Sequence, residues 1–487
     1  MIIKLAGYNV DADILESLKT SDQGELTPET FSAAYARISR SAKDITSLRT
    51  QARKDVKKAR ESNQKIIFKM GHHSVAEHAV FNWDIIGVSR LALEEIEQFR
   101  LVSYTEKSQR YVTLQGDYLI PEEIKNTGHE QLFRKTAELQ NAFYQKSFGI
   151  LREYIFNKYP HLTEKRSDRH MLEGWAKEDA RYILSLATEG QVGMTINARN
   201  LEHLFRRFHL SRRAEVREIG KQMYEQVEKI APSIFLFALP SRFSRDLKET
   251  FKSNFSTLKP GGRQLNPSAQ LVCYTENGDD IILASFLSVY YSVQYNEALE
   301  TIKNLADTEK EKIFKDLFKH MEFFDSTPRE FEMADITFEA VISASNFAQL
   351  KRHRLATLLP GEYDITFGNV IPENIKINGL ENEFRSIIDK TNEVYLELKE
   401  SYGDAADYIL TNSHCRHVLM KMNLREVFHF IRLRSDQHTQ WDIRRLADHI
   451  LTQVKTVMPL STLLLCGKSD FVTLFESIYH RKPEFDI

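Results

Sequence analysis

Residues 81–85 read FNWDI and residues 336–340 read ITFEA. Both alternate apolar and polar side chains with the period of a half-buried strand, Phe81, Trp83 and Ile85 on one face and Asn82 and Asp84 on the other. Each strand is followed by an apolar helical stretch that ends in arginine, at Arg100 and at Arg352 and Arg354. GHHSVAEH (71–78) and FDSTPREF (324–331) precede the two strands, and LIPEEI (119–124) and VIPENI (370–375) follow them. Further on, MTINARNLEHLFRR (194–207) matches MKMNLREVFHFIRLR (420–434) through an Asn-x-Arg step inside an apolar helical period. The repeated unit is a whole domain, far longer than the roughly 20–50 residues of a solenoid repeat. Between the copies, in 241–270, Pro260, Gly261, Gly262 and Pro267 break any regular element. The boundaries read as domain 1 over 1–240, a linker over 241–270 and domain 2 over 271–487. Such a duplication preserves a two-fold related interface that separate chains once formed.

The bulk numbers narrow the class. At roughly 100–200 residues per domain the length implies two to four domains, and 42% hydrophobic with 28% charged residues is a globular composition. The net charge of -2 supplies no basic field for nucleic acid, and RKDVKKAR (53–60), interrupted by Asp55, reads as a solvated helix face. Cys273, Cys415 and Cys466 are too few and too scattered for a disulfide framework. The first residues carry no charged leader with an apolar core, and no run of about 18 apolar residues occurs. A soluble, cytoplasmic chain with no membrane partner is expected.

The residues after the two strands are unequal. The second copy has Arg352, His353 and Arg354, then TLLPGEYD; the first has Gln98, Phe99 and Arg100, then SYTEKSQRY from Ser103. Together they resemble the signature of the flavin-dependent thymidylate synthase family, an Arg-His-Arg triplet followed by a loop of the form SxNExSxRY, divided between two copies. The asparagine of that loop is Thr105 here, and the places of Glu106, Ser108 and Arg110 are taken in the second copy by Pro360, Glu362 and Asp364. The resemblance implies an α+β fold of two tandem domains, each a small, mainly antiparallel sheet with long flanking helices, and a homodimer that forms a pseudo-tetramer. It also implies reductive methylation of dUMP to dTMP with methylenetetrahydrofolate as co-substrate, FAD as cofactor and NADPH as reductant.

Carried over residue by residue, the resemblance puts Gln349, Arg352, Glu106, Ser108, Gln109, Arg110 and Arg181 on dUMP. His72, Ser74, Glu77, Arg352, His353, Arg354, Glu106, Asn197, Arg199 and His203 fall on FAD, and Arg434 against the uracil. The second copy has Asp407 where the first has Arg181, and the counterpart of Arg434 in the first copy is sought at Arg206 or Arg207. Since family sites lie between subunits, the losses are complementary: one copy keeps the triplet, the other the loop, and one composite site survives while the reciprocal one is dead.

The residue types suit this chemistry. Arg110 and Arg181 offer planar forks for a phosphate, Ser108 a hydroxyl donor and Glu106 an acceptor for ribose hydroxyls or a flavin amide. Arg434 against the pyrimidine favours its electron-rich form, so no catalytic cysteine is required. Each piece also has a plain reading: KRHR (351–354) as a cationic helix end, Glu106 to Arg110 as a surface loop with a local ion pair, and the segment around 161–179 as a surface helix. His72, His73 and His78 match no zinc motif, so no metal is expected. The alternative function is a non-catalytic flavin- or nucleotide-binding or structural descendant of the family.

Overall fold

The computed structural model describes residues 1–10, 27–38, 45–69, 72–110, 112, 114, 116–255 and 269–485. Among the described residues eight strands form two four-stranded antiparallel sheets of the same topology. The first contains β1 (Ile2–Tyr8), β2 (Val80–Ser89), β3 (Val102–Glu106) and β4 (Glu189–Asn197) in the order β1-β2-β4-β3. The second contains β5 (Gln270–Tyr274), β6 (Asp335–Ser343), β7 (Thr357–Tyr363) and β8 (Cys415–Asn423) in the order β5-β6-β8-β7. The α+β class and the tandem repeat are thus present, and the alternation in FNWDI and ITFEA does its expected work. Phe81, Trp83 and Ile85 are buried in one core, and Ile336, Phe338 and Ala340 in another.

The helices that carry the residues of interest are, in the first repeat, α1 (Arg90–Ile96), α2 (Glu130–Lys158), α3 (Arg166–Ala180), α4 (Ala198–His209) and α5 (Ala214–Ile230). The connecting segment contains α6 (Arg242–Phe255), and its Pro260, Gly261, Gly262 and Pro267 lie outside the described residues. In the second repeat they are α7 (Ala344–Leu350), α8 (Glu381–Tyr402), α9 (Leu424–Arg434) and α10 (Trp441–Val457). Among the described residues no helix is long and apolar enough to cross a membrane.

Two stretches read as loops are edge strands. Val102–Glu106 pairs with β4 and Thr357–Tyr363 with β8. Val102, Tyr104 and Thr105 favour a pleated surface, and Pro360 is tolerated because an edge strand has one side without ladder partners and a register shift falls between Pro360 and Tyr363.

The chain divides into two compact units that do not coincide with the repeats: residues 1–262 with 372–411, and residues 263–371 with 412–487. Helix α8 of the second repeat therefore belongs to the first unit. Gln140 on α2 donates to Thr391 Oγ1 (2.9 Å) and to the Ile409 carbonyl (3.0 Å), and Phe143 meets Phe384 edge-on at 5.9 Å. Ser185 bridges Thr411, its counterpart in the other repeat, and Leu186 N–H donates to the Leu410 carbonyl at 2.7 Å. Equivalent residues facing one another are the mark of a local two-fold axis.

Candidate active site

Each helix that follows the fourth strand starts on an asparagine cap. Asn197 accepts from Asn200 N–H and Asn423 from Glu426 N–H, both at 2.9 Å. This fixes the register: Arg434, eleven residues after Asn423, corresponds to Phe208, eleven after Asn197. The expectation of Arg206 or Arg207 is corrected.

In the second unit the triplet follows α7, whose cap Ser343 accepts from Asn346 N–H and donates to Asp442 at 2.6 Å. Arg434 Nε donates to His353 Nε2 at 2.9 Å, and its guanidinium reaches the Gln349 carbonyl at 3.3 Å. The Gln349 amide donates to Gln440 at 3.2 Å. His353 is buried, edge-on to Phe430 at 4.9 Å and His429 at 5.7 Å, with Glu426 Oε1 3.5 Å from its Nδ1. Burial, then Arg434 and His429, hold its imidazole well below the ordinary histidine range, so it is neutral and accepts from Arg434. Arg352 is exposed and Arg354 half-buried beside it. Gln349, the triplet and Arg434 are thus gathered at the meeting of α7 and α9.

The first unit gathers the other set. Arg110 pairs with Glu178 at 2.9 Å, and Glu106, at the end of β3, with Arg90 at 3.2 Å. Ser108 Oγ accepts from Arg110 N–H at 3.1 Å, shaping the turn that carries Gln109. Arg181 is buried; that burial lowers its guanidinium, Glu178 opposes, and the neighbouring Arg110 and Arg90 lower it further. Arg90, Arg110 and Arg181 thus gather beside Glu106 and Glu178, and guanidinium forks of this kind suit a phosphate dianion. Sequence reasoning missed Arg90 and Glu178. The only signal was Glu178 standing three residues before Arg181 on α3, one helical turn away.

Of the residues expected on FAD, Glu77 and Arg199 form an ion pair at 2.6 Å, and Asn197 uses its carbonyl as the cap of α4. Arg206, Arg199 and His73 lie near His203 and, after burial, depress its pKa. His72 and Ser74 are exposed at the 3-10 turn His73–His78. His78 packs edge-on to Tyr35 at 4.4 Å and His73 to Phe68 at 6.1 Å, a packing account of two of the three clustered histidines. The second repeat keeps the corresponding ion pair, Arg425 to Glu332 at 2.7 Å.

The reciprocal positions are filled by protein. Where His353 meets Arg434 in one repeat, Phe99 packs on Phe208 in the other, ring centres 6.3 Å apart, and a Cβ on Gly220 would come within 2.9 Å of Phe208. Arg207 donates to Gln98 and lies over the Phe99 ring. Asp407, in the place of Arg181, is held by Arg213 at 2.8 Å and Lys399 at 3.3 Å, and Arg213 also binds Glu95 at 2.6 Å. Asp364 caps Thr366, and Arg416 stacks on Tyr363 and Phe347 while donating to the Gly361 carbonyl. Through Lys399 the Asp407 cluster continues to Asp404, which binds Arg212 (2.9 Å) and Lys399 (3.0 Å); burial opposes ionisation, but these cations bring its carboxyl from 3.8 down to about 2. A depressed carboxyl stabilises the fold above its unfolded pKa and loses that contribution as pH falls through the folded one. Stability of the first unit should therefore drop between about pH 4 and pH 2, and an acid titration of Asp404→Asn should show a smaller loss over that window.

The family model described as thymidylate synthase complementing protein matches residues 24–233 and 270–460, once per repeat. A UPF0159 protein of Thermoplasma acidophilum is 25% identical over 442 residues, covering 83% of this chain and 87% of its own length. A UPF0159 protein of Chlamydia pneumoniae is 23% identical over 432 residues, covering 84% and 81%. The flavin-dependent thymidylate synthase of Clostridium tetani is 35% identical over 179 residues, 36% of this chain and 69% of that protein. With the same profile matched twice, the same sheet built twice and the triplet and its arginine in contact, the chain belongs to the flavin-dependent thymidylate synthase family, whose domain it carries in tandem.

Proposed function

We propose that this protein is a flavin-dependent thymidylate synthase that methylates dUMP to dTMP with methylenetetrahydrofolate, using one composite site whose parts come from different repeats. The observation that carries the reading is the asymmetry of the two copies. Each retained set is assembled as a unit, and the positions reciprocal to it are packed with aromatic rings or ion-paired side chains. Patchwork decay would not replace a His–Arg contact with a Phe–Phe contact at both positions together. The proposed domains are 1–240 and 271–487, joined by 241–270, and two chains would complete a pseudo-tetramer.

In this reading Ser108, Arg110 and Arg181 grip the nucleotide phosphate, with Gln109 beside them; Glu178 holds Arg110 in place and Arg90 holds Glu106. Glu106 accepts from a ribose hydroxyl or a flavin amide. Gln349 and Arg352 border the pyrimidine, and Arg434, fixed by His353, stabilises the charge that develops as the ring's fifth carbon bonds to the methylene carbon. The proton on that ring carbon then passes to solvent as the bond between the methylene carbon and the folate nitrogen breaks and tetrahydrofolate leaves as the amine. When bound, reduced FAD, itself reduced by NADPH, would supply the hydride that completes the methyl group. The residues present fit that cofactor: Arg206, Arg199 and His73 lie around His203, with Glu77 paired to Arg199, a cationic and polar group of the kind a diphosphate requires, and His72, Ser74, Asn197, His353 and Arg354 are the remaining contacts proposed.

A non-catalytic flavin- or nucleotide-binding descendant is the second reading, favoured by Thr105 at the asparagine of the family loop. Saturation with FAD, gel filtration and the visible spectrum decide between flavin-loaded and empty protein. About one flavin per chain is expected from one composite site; no retained flavin would overturn the enzyme reading and leave the arginines as structural.

A further inference from the structure

Glu426 belongs to neither set derived above, yet it is the third member of a chain of contacts that ends on Arg434. It lies in the first turn of α9, its backbone N–H capped by Asn423, and its side chain is only 6% exposed. An acidic residue at a helix start usually faces water and complements the dipole. This one points inward, where an unpaired carboxyl is costly, and its Oε1 lies 3.5 Å from His353 Nδ1, a buried nitrogen that closes no hydrogen bond in this structure, so that this carboxyl is the acceptor set to take its hydrogen. On the far side of the ring, Nε2 accepts from Arg434 Nε at 2.9 Å. A neutral imidazole has one donor and one acceptor nitrogen. Because Nε2 is the acceptor, the hydrogen sits on Nδ1, facing Glu426.

We propose that Glu426 is a positioning residue for Arg434, acting through His353: its carboxyl oxygen selects the Nδ1–H tautomer and so keeps Nε2 as the acceptor that orients the guanidinium. Burial pushes the Glu426 carboxyl up, with His429 opposing, and both protonation states present an acceptor oxygen to Nδ1–H. The first repeat shows what happens without the relay. The positions of Glu426, His353 and Arg434 are occupied there by Asn200, Phe99 and Phe208, so all three members are absent together. The role of Arg434 toward substrate rests on the function proposed above; the link from Glu426 to the tautomer does not.

The test is long-range proton–nitrogen NMR on the full chain labelled with nitrogen-15 histidine, His353 being assigned by its loss in His353→Asn, with dUMP affinity measured on the same samples. Wild type should show hydrogen on Nδ1. Glu426→Ala should move population to Nε2–H and weaken dUMP binding by about 10–100-fold, the usual cost of removing an orienting partner. Glu426→Gln, whose carbonyl still accepts, should retain both the tautomer and the affinity. Nε2–H in wild type or in Glu426→Gln, or an unchanged tautomer in Glu426→Ala, would overturn the inference; the first two criteria hold even if the alanine variant does not fold. A wild-type chain that shows Nδ1–H but binds no dUMP would overturn the proposed function and leave the relay standing.

Discussion

Arg110→Ala, Arg352→Ala and Arg434→Ala should each lower dUMP-dependent release of tritium from the pyrimidine ring by at least about 100-fold, as loss of one preorganised charge-stabilising donor does. Arg100→Ala and Asp364→Ala should leave the rate within about twofold of wild type, because surface changes away from a site are nearly neutral. The contrast follows from the contacts. Arg434 is held by His353 and Gln349, and Arg110 by Glu178 beside Arg181. Asp364, by comparison, caps its own turn through Thr366. Equal losses from both groups of variants would sink the shared site. Mixing Arg110→Ala and Arg434→Ala chains adds a second readout. If the sets are exchanged between the two chains of a symmetric dimer, about a quarter of the sites are restored; if each chain completes its own site, none is.

The parts of this arrangement that were legible in sequence are those written locally. Alternation placed Trp83 and Phe338 in strands, and the Asn-x-Arg step placed two helices, because period and cap are properties of a short window. Arg434 and His353 were identified through the resemblance, and the fold then shows them in contact. What escaped depends on packing. Glu178 and Arg90 join the site only because the end of α3, the start of α1 and the chain after β3 come together. The β3 and β7 edges passed for loops since polar residues and Pro360 interrupt their alternation, which an edge tolerates. The counterpart of Arg434 pointed to Arg206 or Arg207 in the sequence because two arginines adjoin Phe208, and only the eleven-residue distance from the asparagine cap sets the register. The placement of α8 in the first unit has no local signal at all: it rests on Gln140, Phe143 and the Ser185 bridge, contacts between residues more than two hundred positions apart.

That placement makes the filled reciprocal site a structural element, and Arg213→Ala should show it by lowering the stability of the first unit by about 3–5 kcal/mol, the cost of leaving buried charges without their partner. Arg213 is held between Glu95 of the first repeat and Asp407 of the second, and these side chains are 18%, 17% and 4% exposed. Burial alone would lower its guanidinium, but Asp407 and Glu95 overcome that and hold it above its ordinary value. Burial likewise pushes Asp407 up, against the pull of Arg213 and Lys399. We give Arg213 the greater weight because it serves two carboxylates. Removing Asp407 leaves Arg213 still paired with Glu95, whereas removing Arg213 leaves Asp407 with Lys399 and Glu95 with the Ser211 hydroxyl in place of a guanidinium. Amide hydrogen exchange at Leu186, Ala187 and Leu410, on the strand-like bridge beside this cluster, isolates the first unit from the second. Exchange there should accelerate by more than about 100-fold in Arg213→Ala. Arg213→Met combined with Asp407→Leu should recover most of the loss, since an apolar pair of similar volume needs no desolvated charge. A loss below about 1 kcal/mol in the single variant would place the cluster among ordinary surface ion pairs, and the reciprocal site would then be merely vacant of function rather than rebuilt as the fastening of α8.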